Sequence, residues 1–458
     1  MVNRKGLFSK PPIVQLLALA LIVRLALAPF LSHPFDMRVF MAVGAAVSRG
    51  ITPYSQYPLQ LYFAETPHPH LYGTLPGIGY PPIWGLIEGL MFWLASAATP
   101  KNLYAIVLAL KLPIILAELA TAVLVYDIMK KLKGEKTGFR AFILFLFCPF
   151  LLAVGTVWGM FDILAFFFTL LSIKTLNGDW KVSSLHLSFA SVLKVFPVIL
   201  APLYSLYLYK RDQDVKKAIL FLLSTIVFTL ILTIVPMLVF GWPLSNLYNA
   251  LAYHVTTTGS PYEGVASFPY GAASIFNVFT LLSGLSRGSV QPPNLAVYLW
   301  IPASIAVYAL FMKISNFEGL CSKRRQANRS FALIFKWSML LMLTFFTVRV
   351  WVSEQNLVFL FGFFALYAFM GNPVDFGRIH LFWILFFAFV MVHVPVLGFF
   401  WLPYPWALNL ASDFADGSYG WTRLLSMSIL TFCWLALMWH YTVRKVGWRF
   451  ENSHTSTS

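Results

Sequence analysis

The sequence predicts an all-α protein, built as a polytopic transmembrane helical bundle with external loops that carry short helices. Of its 458 residues, 59% are hydrophobic and only 11% are charged, and the mean hydropathy is +0.74, far from the values of a soluble domain. Apolar runs of roughly 20 residues recur along the chain, enough to cross a bilayer core about 30 Å thick. We therefore expect one transmembrane domain over 1–458, with about 10–13 membrane segments, some of them half-helices.

The charge distribution predicts the orientation of this bundle. The net charge of +16 comes from Lys and Arg in short runs between apolar segments, as at 130–140, 210–217 and 323–329. This is the positive-inside pattern of cytoplasmic loops. It predicts a multi-pass cell-membrane protein with cytoplasmic termini, including a tail at 443–458. The sequence shows no basic face with stacking aromatic residues, so nucleic acid is not expected as a partner. Its three cysteines are isolated and predict neither a disulfide framework nor a metal site.

The first half of the chain can be placed with the basic loops as anchors. Helix 13–31 is expected to run outward into a first external loop, 32–78. Residues 82–99 are apolar but short, and we expect them to dip into the membrane and return, because 103–128 must then run inward. The next segments are predicted to run outward at 139–157 and back at 163–176.

The second half contains a predicted break. Residues 182–209 begin and end at basic loops, which predicts a broken hairpin with Lys194 and Pro197 near its tip, where it would line a cavity. Helix 218–241 then leads to a second external loop, 242–293. Further helices are expected near 295–314, 331–348, 355–371, 380–400 and 421–441.

Asp36 is the principal candidate for chemistry. It follows the first helix, at the predicted outer surface, and a carboxylate there could act as a general base that takes a proton from an attacking hydroxyl. It could equally cap an amphipathic surface helix over 37–48, since Asp is a favoured N-cap residue. The local sequence alone does not separate these two interpretations.

A wider pattern resembles the GT-C glycosyltransferases. The first loop contains Asp36, Phe40, the stretch Gly50-Ile51-Thr52-Pro53-Tyr54 and the membrane entry Tyr80-Pro81-Pro82-Ile83. Further similar segments follow in order at 157–162 (Val-Trp-Gly-Met-Phe-Asp), 193–197 (Leu-Lys-Val-Phe-Pro) and 353–356 (Ser-Glu-Gln-Asn). The pattern looks closest to the polyprenyl-phosphate-mannose-dependent mannosyltransferases, and is similar to the eukaryotic enzyme that adds the first mannose to the GPI anchor.

The resemblance implies a function and a set of partners. A hexose, mannose in the first instance, would pass from a polyprenyl-phosphate donor to an acceptor hydroxyl at the outer membrane face, with inversion at the anomeric carbon. The acceptor would be a glycan, a glycolipid or a protein. Membrane lipid is a further expected partner, because the bundle would lie in the bilayer. Asp36 would be the base and Asp162 a second acid that orients the acceptor. The expected substrate-binding residues are Arg38, Tyr80, Lys194, His254, Arg349, Glu354 and Gln355.

The first loop also departs from this family pattern. Many relatives carry paired acids, Asp-x-Asp, whereas here Met37 and Arg38 follow Asp36. Metals with oxygen ligands usually need several carboxylates or carbonyls, so we expect no metal and no other cofactor, and Arg38 would supply the positive charge instead.

Each of these residues also has a structural interpretation. Asp162 could cap the helix 163–176. Lys194, costly at membrane depth, could pair with Asp162 or snorkel to the surface. Arg349 could form a salt bridge with Glu354, and loop histidines such as His254 are more often surface residues.

Two further features are expected to be structural. Lys111 and Glu118 lie two turns apart on one helical face and are predicted to form a buried pair. Glu88 beside Gly85 and Gly89 is typical of helix packing.

Two other classes of function compete with the enzyme. A transporter or lipid flippase would also place charges within a helical bundle, although matching internal halves, typical of many transporters, are not evident. A scaffold of a membrane glycosylation complex would not depend on Asp36 for activity.

Overall fold

The computed structural model describes residues 12–66, 68–249, 274–286, 290, 292–315, 323–350, 352–371, 373–416 and 420–446. Its α-helices, in chain order, are α1 (Ile13–Leu27), α2 (Asp36–Val47), α3 (Gln60–Phe63), α4 (Pro82–Ala98), α5 (Leu103–Lys133), α6 (Glu135–Phe147), α7 (Pro149–Leu152), α8 (Asp162–Leu176), α9 (Trp180–Leu193), α10 (Leu200–Asp212), α11 (Val215–Val239), α12 (Asn277–Ser286), α13 (Trp300–Ile314), α14 (Lys323–Val348), α15 (Leu357–Met370), α16 (Phe376–His393), α17 (Trp406–Asp416) and α18 (Gly420–Val446).

Short elements join these helices. A π-helix, Ala153–Trp158, extends α7, and 3-10 turns occupy Pro69–Leu71, Phe196–Ile199, Asn294–Tyr298, Glu354–Asn356 and Val396–Phe400. The strands β1 (Tyr57–Pro58) and β2 (Thr74–Leu75) pair antiparallel within the first loop, with Tyr57 opposite Leu75. The all-α prediction is confirmed, because the sheet is limited to this one short ladder in the described residues.

Seven helices within the described residues are long and apolar enough to cross a membrane: Leu103–Lys133, Glu135–Trp158, Val215–Val239, Asn294–Ile314, Ser330–Val348, Phe376–His393 and Thr422–Arg444. Shorter apolar helices run over Ile13–Leu27, Pro82–Ala98 and Glu354–Met370. The chain is an integral membrane protein, as its composition predicts.

Acidic and amide side chains begin several of these helices. Asn102 accepts a hydrogen bond from the Ala105 N–H at the start of α5, and Asp179 accepts from Lys181 and Val182 at the start of α9. Asp214 caps α11 in the same way. These caps satisfy N–H groups that have no partner within the helix. Asp36 is different, because it lies inside α2 and makes no such cap.

The predicted helix break at Lys194 is confirmed. Helix α9 ends at Leu193, Lys194 is extended, and a 3-10 turn leads into α10. Helix α11 packs against both halves: Ser188 Oγ donates to the Thr225 carbonyl and Ser205 Oγ to the Ala218 carbonyl. The break thus places the side chain of Lys194 between helices, in a buried position, while the flanking helices remain packed.

The first loop folds back on the bundle through the contact between α2 and α4. Cβ atoms added at Gly44 and Gly89 would lie 2.8 Å from Phe92 and 2.4 Å from Val47, respectively. Glycine therefore allows the two backbones to approach closely, which confirms the packing interpretation of the glycines around Glu88.

Two predictions for this region are wrong. Residues 82–99 do not dip and return, since Pro82–Ala98 is one uninterrupted helix. Helix α2 is not a surface helix either, because nine of its 12 residues are buried. Helices α4 and α5 both pack against α2.

Buried charges hold α1 to the core. Arg24 Nε donates to Glu118 Oε2 at 2.6 Å, and Glu118 accepts from the Thr156 hydroxyl at 2.6 Å and from its N–H at 3.1 Å. Lys111 instead donates to the backbone carbonyls of Leu31, Thr156 and Val157. The predicted Lys111–Glu118 pair is therefore wrong: each side chain has its own partners around the π-helix.

Candidate functional site

Asp36 lies where the first loop meets the π-helix. The indole Nε1 of Trp158 donates to Asp36 Oδ2 at 2.7 Å, and the Asp36 N–H donates to His33 Nδ1 at 3.1 Å. Burial lowers the pKa of His33. Its Nδ1, which accepts from the Asp36 N–H, also lies 3.2 Å from Asp36 Oδ2. The Asp36 side chain keeps 22% of its exposure, which leaves the carboxylate reachable.

Trp158 is fixed by two histidines from distant parts of the chain. The His33 ring stacks on its indole with centroids 4.4 Å apart and planes at 6°. The His393 ring, at the end of α16, lies 5.9 Å away at 28°. The backbone N–H of His33 also donates to the backbone carbonyl of Trp158 at 3.1 Å. These contacts hold the indole in the orientation in which its N–H donates to the carboxylate of Asp36.

The turn after Trp158 depends on a glycine. Gly159 has φ +98°, a left-handed conformation that glycine adopts at little cost. A Cβ atom there would lie 2.5 Å from Met37 and 3.0 Å from Lys111. The turn sends the chain into Phe161 and Asp162, so that one short segment supplies both Trp158 and Asp162.

Lys194 and Asp162 form a buried ion pair. Lys194 Nζ lies 3.1 Å from Asp162 Oδ2, with side chains 2% and 0% exposed, and it donates to the Tyr80 hydroxyl at 3.1 Å. The ammonium also lies 4.4 and 4.5 Å from the ring centroids of Tyr80 and Phe161. The opposite charges of Lys194 and Asp162 therefore meet within hydrogen-bond distance in a buried position.

Glu354 is buried at the 3-10 turn before α15. It lies 3.2 Å from His393 Nε2, and Arg423 Nε donates to the His393 carbonyl at 3.0 Å. The neighbouring Gln355 is buried and its Oε1 has no hydrogen-bond partner in the described part of the chain. Arg349 lies 5.3 Å from the Phe345 ring centroid. The close contact of Glu354 is thus with the His393 ring, and not with Arg349, the alternative salt-bridge partner.

Electrostatic interactions connect these groups into one cluster. Asp36 and Asp162 interact with each other and with Glu354, and Tyr80 interacts with both acids and with Arg349. The structure thus gathers six of the sequence-predicted site residues, from five separate segments of the chain: Asp36, Tyr80, Asp162, Lys194, Arg349 and Glu354.

Two predicted residues stand apart from this cluster. Arg38 Nε donates to the Pro34 carbonyl at 2.7 Å, so the guanidinium stabilises the start of α2, although its charge still reaches His33. His254 lies outside the described residues.

Four residues of the cluster were not among the sequence candidates for binding or catalysis: His33, Trp158, His393 and Arg423. Trp158 lies inside the 157–162 segment that the sequence singles out, and His33 lies three residues before Asp36, so their neighbourhood was a signal. His393 and Arg423 lie in apolar runs without any motif. A polar residue in a membrane helix is a functional candidate by default, and that rule alone would have found them.

The first loop also holds a pair of histidines near Trp401. The ring centroids of His68 and His70 are 5.7 Å apart, and that of His70 is 5.6 Å from Trp401. Burial, helped by the charges of His68 and Arg38, lowers the pKa of His70 from 6.5 to about 4.

This shift predicts a loss of stability in acid. The unfolded chain binds a proton at His70 below pH 6.5, whereas the folded chain does so only near pH 4. The contribution of His70 to the free energy of unfolding is therefore complete above pH 6.5 and is lost as the pH falls towards 4. We expect His70→Phe to flatten the fall in Tm over that interval, measured by thermal scanning of the purified protein. His440→Phe, at an exposed position of α18, is the control; an unchanged slope in His70→Phe would contradict the prediction.

No three His, Cys, Asp or Glu side chains of the described ranges gather into a group that could hold a metal ion. The cations of the cluster are instead Lys194, Arg349 and Arg423. Independence of a metal stays a prediction, and the arrangement is one in which side-chain cations face carboxylates and tyrosine.

The fold of this chain is similar to that of a solved membrane protein. No family model matches the chain, and no curated protein matches it. The chain is similar to an archaeal oligosaccharyltransferase, AglB from Archaeoglobus fulgidus, solved in complex with an inhibitory peptide and a dolichol-phosphate. The TM-score is 0.40 at 11% identity, over 92% of this chain. The chain spans 56% of the length of that protein.

Proposed function

We propose that the protein is a GT-C-type membrane glycosyltransferase that moves a hexose, mannose in the first instance, from a polyprenyl-phosphate donor to an acceptor hydroxyl at the outer membrane face. The observation that carries the proposal is the environment of Asp36. Its carboxylate is reachable, it is oriented by the Trp158 indole at 2.7 Å, and it interacts with a cluster that contains buried cations. A base beside cations suits the transfer of a group from a phosphate.

The reaction would be a single displacement. The acceptor oxygen attacks the anomeric carbon while Asp36 takes the hydroxyl proton. The bond between the anomeric carbon and the phosphate oxygen breaks, and polyprenyl phosphate leaves with the electron pair. Attack opposite the leaving group inverts the anomeric configuration, so a β-linked donor gives an α-linked product.

Lys194 and Arg349 are the proposed partners of the donor phosphate. A lysine ammonium has three N–H donors, and Tyr80 and Asp162 occupy two directions around Lys194. Charge at the leaving phosphate is best stabilised by cations already in place when the bond breaks. In this proposal Asp162 keeps Lys194 in position, and its oxygens are available to orient the acceptor.

The function is tested by transfer from a panel of polyprenyl-phosphate sugars, radiolabelled in the sugar. Membranes that contain this chain should form more labelled glycan, glycolipid or protein than membranes that lack it. The purified protein in detergent, where no ion gradient exists, should form the same product. Mannose should be the best donor. Failure with every donor and acceptor class, together with gradient-dependent movement of a labelled lipid in vesicles, would contradict the proposal and favour a transporter.

A charge-removal series separates phosphate binding from a structural ion pair. Lys194→Met alone leaves Asp162 as an unpaired buried charge, which should lower stability by about 3–5 kcal/mol. The double variant Lys194→Met, Asp162→Asn removes both charges, so we expect most of that stability to return while transfer stays at least tenfold below wild type. Recovery of transfer in the double variant would show that the pair is structural only.

Trp158 is proposed to position Asp36. The Trp158→Phe variant keeps a ring between His33 and His393 but removes the N–H that holds Oδ2. We expect kcat to fall about tenfold or more, consistent with a small misplacement of a catalytic group, while the donor KM stays within about twofold. An equal rise in KM at constant kcat would instead indicate that Trp158 binds substrate.

A further inference from the structure

A groove opens at the opposite end of the bundle from Asp36. It has a volume of about 450 Å³ and is lined by Arg140, Ile143, Leu144, Phe369, Phe376 and His380. These residues come from α6, the end of α15 and the beginning of α16. Each of these elements connects the groove with the candidate site. The apolar span Glu135–Trp158, which begins with α6, ends at Trp158, α16 ends at His393, and α15 starts beside Glu354.

The groove is separate from the candidate site. Arg140 and Trp158 are 18 positions apart in the chain, and His380 and His393 are 13 positions apart. At 1.5 Å per residue these separations correspond to about 20–27 Å along the helices. A lipid whose phosphate lies at Lys194 therefore cannot place that same phosphate at Arg140.

The wall of the groove is largely apolar and partly exposed. It lies between two of the helices that are able to span the bilayer, and Ile143 is 38% exposed. The other aliphatic and aromatic members of the wall leave few polar atoms in it. In the hydrocarbon region there is no water to fill such a groove, so a lipid chain must occupy it.

The rim of the groove carries positive charge and a hydrogen-bond donor. The Arg140 guanidinium lies 5.3 Å from the Phe376 ring centroid, which holds the side chain over the groove. His380 Nδ1 accepts from the Trp383 indole at 2.9 Å, so the ring proton lies on Nε2 and makes it a donor. Arg378 is already paired with Asp375 at 2.7 Å, and that pair adds no net charge.

We propose that this groove binds an anionic phospholipid of the surrounding bilayer, with an acyl chain against Ile143 and Leu144 and the phosphate beside Arg140 and His380. Arginine recognises a phosphate through two parallel N–H donors. Basic pockets between membrane helices at the cytoplasmic surface select anionic headgroups for this reason. The site does not depend on the proposed transferase activity.

The test is lipid binding to the purified full chain, measured by native mass spectrometry with phosphatidylglycerol and phosphatidylcholine that have the same acyl chains. Wild type should prefer phosphatidylglycerol. Arg140→Gln should weaken phosphatidylglycerol about fivefold, which corresponds to about 1 kcal/mol for one basic residue at an anionic surface. It should weaken phosphatidylcholine less, because the choline cation offsets the charge of that lipid's phosphate. Lys131→Gln, on the exposed side of α5, is the matched control and should behave as wild type.

A second variant tests the acyl-chain part of the site. Leu144→Trp fills the groove without changing charge, and it should weaken both phospholipids. Equal binding of the two lipids to wild type, or an equal loss in Arg140→Gln and Lys131→Gln, would overturn the proposal. Displacement of phosphatidylglycerol by stoichiometric polyprenyl phosphate would likewise overturn it, by assigning the groove to a substrate lipid.

Discussion

Asp36→Asn is expected to reduce sugar transfer by at least two, and up to four, orders of magnitude, the usual contribution of a general base. The amide keeps the size of the carboxylate and can still accept from the Trp158 indole, so the fold of the first loop should survive. It cannot take the proton of the acceptor hydroxyl. The measurement is the initial rate of transfer at saturating donor and acceptor, with Tm as the record of folding.

A second acid of the same loop provides the control. Glu65 is exposed and pairs with Lys101 at the surface, so Glu65→Gln should retain the wild-type rate. A folded Asp36→Asn protein that transfers sugar at the wild-type rate would exclude the role of base for Asp36. The same result would be compatible with a scaffold, which does not need this carboxylate.

Glu118→Gln is expected to lower the unfolding free energy by about 3–5 kcal/mol, because it leaves the buried guanidinium of Arg24 without a countercharge. Arg24 is 1% exposed, and Glu118 Oε2 is its carboxylate partner at 2.6 Å. The loss should also reach the π-helix, whose Thr156 donates twice to Glu118. The measurement is denaturant or thermal unfolding of the purified protein in one detergent.

The double variant Arg24→Met, Glu118→Gln supplies the critical comparison. It removes the buried charge while the glutamine carbonyl still accepts from Thr156. Replacement of a buried ion pair by neutral groups is often close to neutral in stability, so most of the loss in the single variant should be recovered. A double variant as unstable as Glu118→Gln would mean that the packing of Arg24, rather than its charge, holds α1 in place.

The helix break at Lys194 and the packing of Gly89 were predictable because each follows from local chemistry. A lysine followed by Val-Phe-Pro in an apolar run cannot continue a lipid-exposed helix at low cost, and a small residue permits close approach of helices. The burial of α2 was not predictable, since its sequence gives no sign that α4 and α5 both pack against it.

The Lys194–Asp162 pair was one of the alternatives that the sequence offered, but the partners of Lys111, Glu118 and Glu354 were beyond the sequence. Spacing on one helix put Lys111 and Glu118 on a common face, yet Glu118 pairs with Arg24, 94 positions away in the chain, and Lys111 with backbone carbonyls. Arg349 and Glu354 are close in the chain, but Glu354 lies beside His393. A buried charge takes whichever partner the tertiary contacts bring, because the cost of leaving it unpaired exceeds any local preference.

By itself the sequence determined the class of the protein, its helical membrane architecture and the identity of most residues in the candidate cluster. Hydrophobic runs and isolated charges are local properties, and the bilayer acts on them segment by segment. Only the tertiary structure decided that Trp158 aims its indole at Asp36, that His393 joins Glu354, and that Lys194 faces Asp162. These contacts join residues more than 30 positions apart, and their geometry follows from how the helices pack against one another rather than from any single segment.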